Sequence, residues 1–290
     1  MHLRHLRLLS FRAHAETTLD LAPKVNLLVG PNGAGKTNVL EAVHYLCLTK
    51  SFLTSTDAHA VRRGCPFFEI EGTFEGERRA AVTAKLVYVP SEGKRLFLNG
   101  APLNRLAEIV GELPIVVLSP ADYALTAGGP EERRRFLDAT LSQAHPVYLD
   151  DLLKYRRALK QRNALLQQIR RGRRLAPGTL DAWDTELVAL GTRIIDRRRR
   201  FLSRFAEFLA EAYRLLDAVG EEPTMTYQTV APVEDEPEAE LLAERFRARL
   251  DRVERREAER GRTLVGPHLD EVVFRLGDFE VRPYASQGQH

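Results

Sequence analysis

Gly30-Pro31-Asn32-Gly33-Ala34-Gly35-Lys36-Thr37 is the segment that most narrows what this 290-residue chain can fold into. It matches GxxxxGK[ST] in full. Such a loop is expected between a buried strand and a helix, because glycines must turn several backbone N–H groups toward a phosphate chain while the helix presents its positive end to it. The context here fits. The apolar run Val25-Asn26-Leu27-Leu28-Val29 precedes the loop and predicts a buried strand from about Lys24. Val39, Leu40, Val43, Leu46 and Cys47 follow on one face of a helix expected over 37–48. All eight loop residues are therefore expected to bind a nucleotide. Lys36 should reach the β- and γ-phosphates, and Thr37 should place its hydroxyl on Mg²⁺.

The rest of the chain divides by pattern. Residues 3–11 and 16–21 read as two strands around a polar turn, and 66–98 as an antiparallel meander whose last strand runs into the hairpin signal Asn99-Gly100. Ile115-Val116-Val117-Leu118 reads as a further buried strand. A helix is expected from Pro130-Glu131-Glu132, with proline and two acids suited to a first turn. Two long helices follow, at about 148–169 and 180–216, joined by a basic turn, and a charged third lies at 238–260. A strand at 271–276 and a last strand into Tyr284 close the chain. The expected division is residues 1–120 as an α/β lobe with the phosphate loop, 121–262 as a helical second lobe, and 263–290 as return strands plus a signature loop.

That loop is Ser286-Gln287-Gly288-Gln289, which resembles the segment with which one ABC-type ATPase protomer caps the γ-phosphate held by its partner. A serine hydroxyl and backbone amides suit that task. With Phe11-Arg12, Gly128-Gly129-Pro130, Arg133-Arg134-Arg135, Gln161-Arg162-Asn163 and Gly266-Pro267-His268 in this order, essentially the whole chain resembles the RecF family of bacterial recombination mediators. The resemblance implies an ABC/SMC-like P-loop ATPase head with an antiparallel β subdomain and a helical lobe. It implies ATP and Mg²⁺ as cofactors, an ATP-dependent homodimer, and binding to single-stranded, gapped and double-stranded DNA. It also implies action with RecO and RecR in loading RecA, with roles in replication and the SOS response, and a weak DNA-dependent ATPase in full-length members. Arg12 either touches the nucleotide or is a solvated strand-end arginine.

One departure stands out. Hydrolysis in such ATPases needs an apolar strand ending in two acids. Ile115–Leu118 runs into Ser119-Pro120, and Leu269-Asp270-Glu271 lacks the strand. In the family it follows the signature loop, so the catalytic acids are expected beyond His290, and the chain reads as truncated there.

Net charge is only +3, but residues 151–214 hold sixteen Lys/Arg against seven Asp/Glu. Arg170, Arg171, Arg173 and Arg174 at the hairpin turn are the candidate DNA contacts. A solvated helix face paired to acids such as Glu186 and Asp196 is the alternative for the basic residues. Cys47 and Cys65 form no disulfide or zinc pattern. With no signal-like N-terminus and no apolar run near the roughly 20 residues of a membrane span, a cytoplasmic protein without membrane contact is expected. Two other functions compete: an ABC-type subunit of a transporter-like system, and a non-catalytic, nucleotide-dependent interaction module.

Overall fold

The computed structural model describes residues 1–76, 79–215, 222–229 and 238–284. Two compact units emerge, Met1–Val116 and Val117–His290.

The first unit is a six-stranded antiparallel sheet with one long helix on it. β1 (His2–Phe11), β2 (His14–Asp20), β3 (Phe68–Gly76), β4 (Arg79–Val89), β5 (Gly93–Leu98) and β6 (Ala101–Pro102) lie in the order β2-β1-β3-β4-β5-β6. Alternation sets the register. Phe68, Ile70 and Phe74 of β3 point to one face and are buried there, with Leu6 and Leu8 of β1 beside them. Asn99-Gly100 makes the expected tight turn, with φ of 50° and 80°. Helix α1 (Lys36–Leu48) seals that face through Ala42, Tyr45 and Leu46. Phe11 meets Tyr45 and Phe68 edge to face, at 5.8 and 5.2 Å between ring centres. Cys47 is buried in this core, which pushes its thiol up to about 12; Cys65 is half-buried, and both are free.

Two expected strands do not form. Residues 24–29 and 115–118 run without strand pairing. Val25, Leu27 and Val29 are 81–85% exposed, and Val116 and Leu118 over 90%. Only Leu28 and Ile115 lean on the core. Their apolar runs are those of strands covered on both faces, and the described residues supply no such cover.

The second unit is helical, with a small sheet. α2 (Tyr123–Ala127) leads into α3 (Pro130–Ala144), then α4 (Pro146–Arg170) and α5 (Asp181–Arg214) form a helical hairpin, and α6 (Ala239–Arg260) packs on both. β7 (Pro223–Gln228), β8 (Glu271–Leu276) and β9 (Phe279–Glu280) make a three-stranded antiparallel sheet. The final strand expected into Tyr284 is shorter: β9 stops at Glu280 and a helical turn, α7 (Val281–Tyr284), follows. Among the described residues, no helix is long and apolar enough to cross a membrane.

Candidate functional site

In the first unit, the glycine-rich loop opens α1 at Lys36. Gly35 holds a left-handed conformation (φ 90°), which glycine adopts without penalty, and its carbonyl accepts the first helical bonds from the Asn38 and Val39 N–H groups at 2.9 and 3.2 Å. The N–H groups of Gly33, Gly35, Lys36 and Thr37 form no hydrogen bond to other described residues. They are the orphan donors of a helix start, gathered where the helix dipole also favours negative charge. Lys36 Nζ lies across the loop and donates to the carbonyl oxygens of Gly30 and Pro31, at 2.7 and 2.9 Å. Unpaired amides and one ammonium group around a turn can hold a chain of phosphates.

Thr37 is exposed, and its hydroxyl bonds to no described residue. One hydroxyl suits Mg²⁺, which keeps waters and phosphate oxygens as most of its ligands. Among the described residues no group of three or more His, Cys, Asp or Glu could hold a metal without them.

Arg12 sits at a positive φ of 52° beyond β1, beside the loop helix. Its guanidinium grips Glu41 of α1 with a two-pronged fork, Nε at 2.9 Å and Nη2 at 2.6 Å, and donates to the His59 carbonyl at 2.8 Å. Glu41 is fully buried and also accepts from the Ser51 hydroxyl. The bond to Glu41 is the main reason the Arg12 pKa rises; burial opposes it. Arg12 is therefore neither a loose surface arginine nor wholly consumed: two of its five N–H groups remain. His14, which carries no sequence motif, is the residue that sequence reasoning misses. Its Nε2 lies 3.2 Å from the Gly35 carbonyl, its Nδ1 2.9 Å from the Thr17 hydroxyl, and its ring fills the space a side chain at 35 would need.

In the second unit, the motif residues meet one another. Asn163 Oδ1 accepts from the Thr263 N–H and hydroxyl, both at 2.7 Å, and Arg162 Nη1 donates to the Thr263 hydroxyl at 3.0 Å. Arg162 is 1% exposed, paired with Asp184 and, at 2.8 Å, with Glu257. The Tyr155 hydroxyl and His268 Nδ1 are 2.7 Å apart. Arg198 donates to Asp138 (2.8 Å), Tyr148 (3.0 Å) and the Pro267 carbonyl (2.7 Å). Arg133 forks onto Glu271 at 2.7 and 3.2 Å and donates to the Leu125 and Gly128 carbonyls. Asp270, 2% exposed, accepts from Tyr227. Both carboxylates of the Asp270-Glu271 pair are thus tied into this unit.

The basic residues separate into two sets. Arg156 pairs with Asp138, Arg193 and Arg197 with Asp151, and Arg199 and Arg200 with Asp196. Arg170, Arg171, Arg173 and Arg174 are exposed, and no guanidinium among them has a partner among the described residues. Ser286-Gln287-Gly288-Gln289 lies outside the described residues.

A family model described as an AAA domain matches residues 5–108. The DNA replication and repair protein RecF of Salinibacter ruber is 57% identical over the whole chain, which covers 71% of that protein. The structure of a recombination mediator protein RecF with ATP, in the RecFOR pathway, is 29% identical and superposes with a TM-score of 0.94 over 99% of this chain and 76% of that one. An Smc head bound to the C-terminal winged helix of ScpA is only 14% identical, with a TM-score of 0.52 over 99% of this chain and 72% of that one. The fold is that of an ABC/SMC-like P-loop ATPase head.

Proposed function

The chain belongs to the RecF family of DNA replication and repair proteins, and from that membership we propose that it binds ATP and Mg²⁺ at Gly30–Thr37 and uses the bound state to engage DNA. The observation that carries the reading is the loop itself: N–H groups of Gly33, Gly35, Lys36 and Thr37 that have no partner among the described residues, beside an ammonium group that among those residues bonds only loop carbonyls. Lys36 would turn from those carbonyls to the β- and γ-phosphates, and Thr37 would take a place in the Mg²⁺ shell. The metal would neutralise phosphate charge. Arg12, held by Glu41, would direct its remaining N–H groups toward the nucleotide, and His14 would fix the Gly35 peptide.

The same reading extends to partners. Two ATP-bound copies would face each other, with Ser286–Gln289 of one capping the nucleotide of the other. The hairpin turn with Arg170, Arg171, Arg173 and Arg174 would contact duplex or gapped DNA through phosphates. Such a clamp would act in the cytoplasm beside RecO and RecR to load RecA, in support of the SOS response. Support for these partners is the family membership and the solved relative assigned to the RecFOR pathway.

The test is titration with a fluorescent ATP analogue. Lys36→Ala removes the loop's only side-chain cation and should weaken binding about 10–100-fold, as expected for a lost charge-assisted bond. Unchanged affinity would place the nucleotide elsewhere.

A further inference from the structure

The C-terminal ends of α4 and α6 come together at Gly261. This left-handed residue (φ 67°) closes α6, and a Cβ there would lie 2.9 Å from Arg170 Cδ and 3.5 Å from the Gln167 Cα. The left-handed backbone favours glycine here, and a side chain would press on the Arg170 stem. Its effect is to gather Arg170 and Arg171 from one helix end and Arg260 and Arg262 from the other around a single pocket, completed by Gln167 and Gly261. All four arginines are exposed, and among the described residues none has an ion pair or a side-chain hydrogen bond. The nearby acids are occupied: Glu257 is buried against Arg162, and Glu259 bonds Arg255. A helix end favours a cation in its last turn. Arg170 and Arg260 meet that preference, whereas Arg171 and Arg262 go beyond it. Four guanidinium groups around one pocket repel one another until an anion sits among them.

We propose that this pocket is a phosphate site that holds one backbone phosphate of duplex DNA, with α6 supplying half of the contacts. The proposal rests on the DNA-binding reading above and deepens it. The hairpin turn would not act alone but as one side of a two-helix clamp, whose other side lies about ninety residues further along the chain. The planar forks of arginine match the paired oxygens of a phosphodiester.

The experiment is fluorescence anisotropy with a labelled duplex over a range of salt, using the whole chain with ATP and Mg²⁺ present. Arg260→Ala with Arg262→Ala empties the α6 side of the pocket. Arg247→Ala with Arg249→Ala removes the same charge from exposed positions of the same helix and serves as the control. Matching circular dichroism spectra exclude misfolding. The pocket variant should bind more weakly, with its log–log salt slope shallower by about 0.9, the value for one lost phosphate contact. The control should keep the wild-type slope. Equal slopes in pocket variant and wild type, or equal losses in pocket variant and control, overturn the site. A wild-type protein that binds no duplex overturns the DNA-binding reading and the proposal with it. Inorganic phosphate separates the two sources: calorimetric binding lost in the pocket variant, with duplex binding unchanged, overturns the assignment to DNA.

Discussion

The Arg12 guanidinium and the Glu41 carboxylate meet in a fork at 2.9 and 2.6 Å, tying the end of β1 to the helix that starts at the phosphate loop. Glu41 is fully buried and Arg12 half-buried. Glu41→Gln leaves a guanidinium without its counter-charge and should cost about 3 kcal/mol in urea unfolding, the low end for breaking a buried pair. Arg12→Ala separates structure from ligand contact. If Arg12 also reaches nucleotide, it should lower ATP-analogue affinity more than Glu41→Gln does at equal folded fraction.

Arg198 makes a second such centre. It is 2% exposed and bonded to Asp138, Tyr148 and the Pro267 carbonyl, with Asp270 at 3.7 Å. Arg198→Met preserves much of the volume but takes the buried cation from Asp138 and Asp270, which keep only Arg156 and Tyr148, and Tyr227, respectively, and should destabilise the protein by about 3 kcal/mol. A loss under about 1 kcal/mol in chemical denaturation would mean that water replaces the guanidinium.

Gly266 has a φ of 131°, and a methyl group there would overlap the Tyr155 hydroxyl. Gly266→Ala should therefore cost about 1–3 kcal/mol from overpacking alone. Tyr155→Phe in the same chain should return part of that loss, which a double-mutant cycle reads directly.

Burial pushes His268 down to about 4, with the cations Arg134, Arg198 and Arg162 acting in the same direction. The folded protein thus resists a proton that the unfolded chain accepts near pH 6.5. Its contribution is present in full above that pH and is lost as pH falls from about 6.5 through 4, to a total of about 3 kcal/mol. Urea midpoints measured across this window should fall with pH in the wild type. The decline should be shallower in His268→Gln, which cannot gain the charge.

Changing Arg170, Arg171, Arg173 and Arg174 to Ala should weaken duplex binding and flatten its salt dependence by up to about 0.9 slope units per lost phosphate contact. Anisotropy at several salt concentrations checks this. Unchanged affinity and slope would leave the turn a solvated one.

Much of this architecture is legible in the residues. Leu152, Leu166, Leu187, Leu190 and Ile194 recur at helical spacing and are buried, so α4 and α5 follow from period alone. Phe68, Ile70 and Phe74 mark β3 by alternation, and Asn99-Gly100 marks the β5–β6 hairpin. What was hidden depends on neighbours distant in sequence. Pro223–Gln228 is a short segment rich in threonine, and only pairing with β8 makes it a strand. Arg198 stands within the four-arginine run Arg197–Arg200, which spans all sides of its helix, and Asp138, sixty residues earlier, draws this one inside. Conversely, Val25–Val29 carries a core pattern that the described residues leave open to water. At the candidate site, the glycine-rich turn into α1 is legible in the residues, whereas the place of His14 is not, because it arises from where β2 passes Gly35.

If nucleotide binds at this loop as proposed, the bonds from Lys36 to the Gly30 and Pro31 carbonyls make its capture a swap rather than an addition. Each contact the ammonium group gains with phosphate replaces one it already has, so its enthalpy of capture is muted. The incoming ligand in turn frees two carbonyls that must find water. Entry and escape would then each require the swing of one flexible side chain, a motion on the scale of nanoseconds when the residue is exposed. Stiffening that side chain's surroundings should slow exchange in both directions while leaving the equilibrium almost where it was.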